Sequence, residues 1–102
     1  MNLKDFMLLI EDLAKSKKYN QHTGWMFWKL LTELGEYSKA IEEDKPKSVI
    51  SEEWADVQHL LFQIEFKHGD GDPDLALIKK IDKNWNSKKK TLDEDTQEIV
   101  RK

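Results

Sequence analysis

Two prolines and four glycines are the only residues that punctuate the backbone of this 102-residue chain, and between them apolar residues recur at steps of three and four. That spacing marks one face of a 3.6-residue helix, and no stretch alternates as a half-buried strand would. A first helix is expected over residues 3–18. Asn2 suits its N-cap and Asp5 its first turn; Leu3, Phe6, Ile10, Leu13 and Ala14 form its stripe, and Lys15, Lys17 and Lys18 favour its C-terminal end. After a polar joint, a second helix is expected over residues 25–43, with Phe27, Leu30, Leu31, Leu34, Tyr37 and Ile41 inward and Pro46 stopping it. A third over residues 47–68 carries Ile50, Trp54, Val57, Leu60, Leu61 and Ile64, and Gly69 and Gly71 follow it. Asp72 and Pro73 restart a fourth, with Leu75, Ile78, Ile81 and Trp85 running to about residue 89. Residues 1–90 read as a single domain, and residues 91–102 as a C-terminal tail, loose or a short helix. Four helices with short joints predict an all-α, four-helix bundle-like protomer with antiparallel helices.

The composition narrows the possible partners. Net charge is −3 and Arg101 is the only arginine, which speaks against a nucleic acid polymer as ligand, since such readers use arginine for bidentate contacts. Without cysteine there is neither a disulfide framework nor a thiolate metal site. The N-terminal MNLKDFMLLIEDLAK has acids on both sides of a short apolar run, unlike a signal peptide. No run approaches the ~20 apolar residues that span a bilayer. A soluble, cytoplasmic protein with no membrane partner is the expectation. So small a domain buries a modest share of its surface, and with four tryptophans a homo-oligomer is expected.

The acids are placed in a way composition does not explain. On a wheel of the third helix, Glu53 falls inside the apolar face between Ile50 and Val57, and Asp56 lies on its shoulder. On the second helix Glu33 flanks the Leu30/Leu34 stripe, and Glu36 is three residues further on. An ionised carboxylate facing a core is costly unless it is paired or bound to a metal. Either acid pair alone is most often a solvated helix face. Two pairs on consecutive helices, one with a glutamate in the apolar stripe, would converge if the helices pack side by side. A hard divalent cation neutralises such a group, and carboxylate oxygens select Mg²⁺.

With those residues in place, the stretches LLTELGEYSKAIEED and SEEWADVQHLLFQI resemble the MazG-like nucleotide pyrophosphohydrolases. Their signature, E-x-x-E and then E-x-x-D, reads here as Glu33-Leu34-Gly35-Glu36 and Glu53-Trp54-Ala55-Asp56. The likeness covers roughly residues 28–88. It implies a helical bundle with Mg²⁺ (Mn²⁺ substituting) held by Glu33, Glu36, Glu53 and Asp56. The implied reaction converts a nucleoside triphosphate to the monophosphate and pyrophosphate, in a homodimer or dimer of dimers. One carboxylate, Glu36 or Glu33, would orient the attacking water. The same likeness assigns Lys80 and Asn84 to the phosphates, with Lys88 where an arginine is common. A housecleaning role against modified nucleotides stays open.

Ala55-Asp56-Val57-Gln58-His59 is also similar to the acid-to-histidine spacing of phosphoribosyl-ATP pyrophosphohydrolases, although HTGWMFWKL lacks the Ser-Tyr-Thr start expected there. A different class, a non-catalytic helical interaction module with structural salt bridges, remains an alternative. Trp25, Phe27 and Trp28 are candidates for a nucleobase wall, or else for core or interface packing. Trp54 and Trp85 lie on apolar stripes and are expected in the core. His22, His59 and His68 read as structural or solvated, His22 with a weaker claim to approach substrate.

Overall fold

The computed structural model describes residues 1–87 and, beyond them, the backbone of Thr91–Leu92 and Ile99–Val100. Four α-helices make up the first 87 residues: α1 (Leu3–Ser16), α2 (Thr23–Glu42), α3 (Lys47–His68) and α4 (Pro73–Trp85). Two short strands, β1 (Thr91–Leu92) and β2 (Ile99–Val100), pair antiparallel. These four residues lie in the tail expected to be loose or a short helix, and the rest of that tail lies outside the described residues.

Local chemistry sets the helix ends. The Asn2 side chain accepts from the Asp5 amide at 2.9 Å while Asp5 accepts from the Asn2 amide at 3.1 Å, a reciprocal capping box. Asp72 caps α4 by accepting from the Leu75 amide, with Pro73 in the first turn. α1 and α2 close in the same way. Lys18 and Asp44 take left-handed backbone, with φ of 54° and 53°, and the next amides, Tyr19 and Lys45, donate to Ala14 and Ala40 carbonyls. These tight exits stop α1 at Ser16, two residues short of the sequence expectation. Gly71 makes the α3–α4 turn at φ +84°, a conformation an L side chain resists.

α2 and α3 form an antiparallel hairpin whose shared face is the main core. Met26, Leu30, Val57 and Leu60 are buried together there, with Tyr37 and Ile64 packed against them. α1 lies across α3 and buries Met7, Ile10 and Ala14. α4 is held at its start: Pro73 is buried, and the Asp74 carboxylate accepts from the Leu3 and Lys4 amides at 3.0 and 2.9 Å. That one acid satisfies two orphan donors of α1 and pins α4 to it.

The structure corrects the inward faces. On α2 the buried stripe is Met26, Leu30 and Ala40, with Glu33 and Tyr37 half-buried between them, while Phe27, Leu31, Leu34 and Ile41 face outward. On α1, Met7 is buried and Phe6 and Leu13 are exposed. Trp54 is 51% exposed and Trp85 86% exposed, so neither is core. Trp54 stands a wheel step from the α2-facing stripe, beside Leu3, Phe6 and Ile10 of α1. Trp85 ends a helix that packs mainly on α1 and is anchored by its first turn.

Candidate metal centre

The rotation of α2 decides the site. With Met26, Leu30 and Tyr37 turned to α3, Glu33 lies on the same stripe and points into the seam instead of flanking it. Across the seam α3 supplies Glu53 and Asp56. Glu33, Glu53 and Asp56 each offer one carboxylate oxygen, all within 4.8 Å of one another. Glu33 and Glu53 are half-buried and Asp56 is exposed, so the cluster opens to solvent on one side. Glu36, one turn along α2, is exposed and outside this trio. It remains close enough to act on Glu53 electrostatically.

Glu53 records the crowding. Burial, then the charges of Asp56, Glu33, Glu36 and Glu52, push its carboxyl above the ordinary glutamate range. Among the described residues no cation pairs with Glu36, Glu53 or Asp56; Glu33 alone is paired, to Lys29 Nζ at 3.1 Å. Three oxygens on two rigid helices suit a hard cation that demands oxygen ligands. Oxygens around six-coordinate Mg²⁺ stand about 3–4 Å apart, given bonds of about 2.0–2.1 Å. Side-chain rotation of an ångström or so closes the observed spacing to that range.

A cleft of about 350 Å³ runs from Glu33 and Asp56 past Lys29, His59 and Gln63 to Tyr19, Asn20 and Trp25. The joint carrying Tyr19 and Asn20 is fixed from below. Lys67 Nζ donates to the Gln21 carbonyl at 2.8 Å, Gln21 Nε2 donates to the buried Glu11 carboxylate at 3.2 and 3.0 Å, and Thr23 Oγ1 meets His68 Nε2 at 2.7 Å. His68 is thereby a structural tie, and His22 takes the N-cap position of α2.

The cleft brings together Glu33, Asp56 and Trp25 of the residues expected from sequence, with Glu53 adjoining through the carboxylate cluster. It does not gather Trp28, which is 61% exposed, nor Lys80 and Asn84, exposed on α4. Lys88 lies outside the described residues. Sequence reasoning gave no role to Lys29, Tyr19, Asn20 or Gln63 and set His59 aside. For Lys29 a signal existed, since it precedes Glu33 by one helical turn. The others depend on how the joint folds back, which periodicity does not encode.

No family model matches the chain, and neither a curated protein nor a solved structure matches it.

Proposed function

We propose that this chain is a Mg²⁺-dependent nucleoside triphosphate pyrophosphohydrolase, converting an NTP or dNTP to the monophosphate and pyrophosphate. The observation that carries the reading is Glu53: a half-buried carboxylate that meets Glu33 across the helix seam and Asp56 on its own helix, with no cation partner among the described residues. The MazG-like resemblance of the two acid motifs points the same way. Glu33, Glu53 and Asp56 would hold the metal, and Glu36, exposed one turn along α2, would join them or orient the attacking water. Bound Mg²⁺ supplies charge stabilisation for the leaving pyrophosphate and a more acidic water. Trp25 and Tyr19 line the same cleft and are the aromatic residues against which a nucleobase would stack, with the Asn20 side-chain NH2 left to meet its edge. Lys80, Asn84 and Lys88 belong to this reading through the resemblance alone.

With Mg²⁺ or Mn²⁺ present, at least one member of a panel of standard and modified (d)NTPs is expected to yield monophosphate and pyrophosphate, read by chromatography. Release of diphosphate and orthophosphate would refute the assignment. A modified nucleotide as best substrate would indicate nucleotide-pool housecleaning. The alternative is a non-catalytic interaction module with structural salt bridges; the one ion pair in the acid cluster among the described residues, Lys29–Glu33, lies within α2 and bridges no helices. Thermal unfolding separates the two: a metal enzyme is stabilised by Mn²⁺ at constant ionic strength through linkage, whereas a salt-bridged module responds to ionic strength alone.

The same proposal includes self-assembly in the cytoplasm as a homodimer or dimer of dimers. Its support is the outward stripe of α2, Phe27, Leu31, Leu34 and Ile41, together with Ile78, Ile81 and Trp85 on α4. Apolar surface on that scale marks association in a small domain. Among the described residues no helix is long and apolar enough to cross a membrane. Light scattering at micromolar concentration is expected to give at least twice the chain mass, and a monomer there would contradict it.

A further inference from the structure

Lys29 is the only lysine or arginine among the described residues lining the carboxylate cleft. α2 presents Trp25, Lys29 and Glu33 to that cleft at four-residue steps, about 6 Å apart along the axis. The helix thus sets an aromatic ring, a cation and an acid in a row, the order of nucleoside, phosphate and metal in a triphosphate complex. The Lys29 ammonium lies 3.1 Å from Glu33 Oε1, and its side chain is 39% exposed against 15% for Glu33. Helix stabilisation is a poor account of this pair. A lysine one turn before a glutamate is the weaker of the two orientations, and pairs of that kind contribute little to a helix. Lys29 is the more exposed partner, with its ammonium toward the cleft, whereas Glu33 lies in the seam.

We infer that Lys29 is a phosphate-binding residue held in reserve by Glu33. It neutralises that carboxylate while no divalent cation is bound, and turns to the phosphate oxygens of a triphosphate once one is. The inference rests on the proposed metal centre. Its physical basis is competition: an ammonium and a divalent cation on the same carboxylate repel each other, so metal binding releases Lys29. Phosphate oxygens arriving with the metal then offer the freed ammonium a charge-assisted partner beside its old one. Trp25 and the metal centre accordingly set the two ends of the substrate, with the phosphates along Lys29.

Competition of this kind predicts opposite signs for two binding constants of one variant. Lys29→Met is expected to bind Mn²⁺ alone about two- to fivefold more tightly, since the competing ion pair is gone. The same variant is expected to bind tripolyphosphate in the presence of saturating Mn²⁺ about tenfold or more weakly, having lost a charged hydrogen bond. Lys29→Arg, which keeps the charge, is expected to retain most of the tripolyphosphate affinity. Calorimetry on the full chain reads both constants, with circular dichroism confirming helicity and Lys29→Gln standing in where methionine disturbs folding. Wild-type binding of Mn²⁺ with both constants unchanged in the variant would overturn the inference and leave the metal centre standing. Both constants weakening together would overturn it equally, by reducing Lys29 to structural support. No Mn²⁺ binding by the wild type would overturn the metal centre, and this inference with it.

Discussion

Glu53→Gln is expected to lower pyrophosphohydrolase activity by about 10²–10³-fold while leaving the metal-free protein as stable as before or more so. The activity loss follows from the charge that holds the ion, because electrostatic stabilisation of the transition state is the largest effect such a site supplies. The stability change has the opposite sign because Glu53 in the metal-free protein is an acid among acids, with no cation partner among the described residues. A neutral amide of the same shape is cheaper to hold there. pH adds a second reading. Burial and then the neighbouring carboxylates raise the Glu53 carboxyl in the folded chain, so the folded state holds this proton at pH values where the unfolded state has released it. Between the ordinary glutamate value and the raised one, the folded state binds more protons, and the contribution of Glu53 to stability falls as pH rises. Urea unfolding of the metal-free wild type is expected to show that downward slope across mildly acidic pH, and Glu53→Gln to flatten it. Mn²⁺ affinity runs the other way, strengthening as pH rises and the proton leaves. Loss of apo stability in Glu53→Gln with activity retained would mean that the carboxylate serves a structural ion pair, and the metal reading would fall.

Glu53 was visible in the sequence for a definite reason. The sequence of α3 reads as one apolar face, Ile50, Val57, Leu60, Leu61 and Ile64, of which Val57, Leu60 and Ile64 pack in the core shared with α2 while Leu61 is exposed, and an acid inside that face stands out. α2 offered no such clarity. It bears two apolar stripes, Met26, Leu30, Tyr37 and Ala40 on one side and Phe27, Leu31, Leu34 and Ile41 on the other. Periodicity finds both but does not say which one meets α3. The larger aliphatic side chains sit on the outward stripe, so hydrophobicity alone selects the wrong one and moves Glu33 to a flank. Methionine hid the answer twice. Met7 and Met26 are the most fully buried large side chains among the described residues, yet an unbranched thioether signals a core weakly and packs well in irregular gaps. Helix ends were legible to within about two residues for α1 to α3, because Asn2, Pro46, Gly69 and Pro73 act locally. α4 stops at Trp85, short of the expected residue 89. The cleft was the least legible part. Tyr19 and Asn20 reach it only because Lys67, Glu11 and His68 fix the joint that carries them and Thr23, and those ties span up to 46 residues.

The rotation of α2 therefore underlies the site, and core truncation tests it directly. Met26 is 0% exposed against Leu30, Val57 and Leu60, whereas Leu31, which the hydrophobic pattern turned inward, is 69% exposed. Met26→Ala removes three buried heavy atoms from the seam and is expected to cost about 2–5 kcal/mol. In a domain whose total stability is on the order of 5–15 kcal/mol that is a large fraction. It corresponds to a fall in Tm of roughly ten degrees or more. Leu31→Ala is expected to change the stability of the isolated protomer by no more than about 0.5 kcal/mol. Any further loss at Leu31 should grow with protein concentration, since it would come from a second copy covering the outward stripe. The loss at Met26 should not depend on concentration. Denaturant titrations of both variants at two protein concentrations make the comparison. If Leu31→Ala proved the costlier change at high dilution, α2 would be turned by about 100° or more. Glu33 would then leave the seam, and the three oxygens now within 4.8 Å would no longer meet. The expected order of these two truncations is thus a condition on the metal centre, measurable without any metal or nucleotide in the experiment.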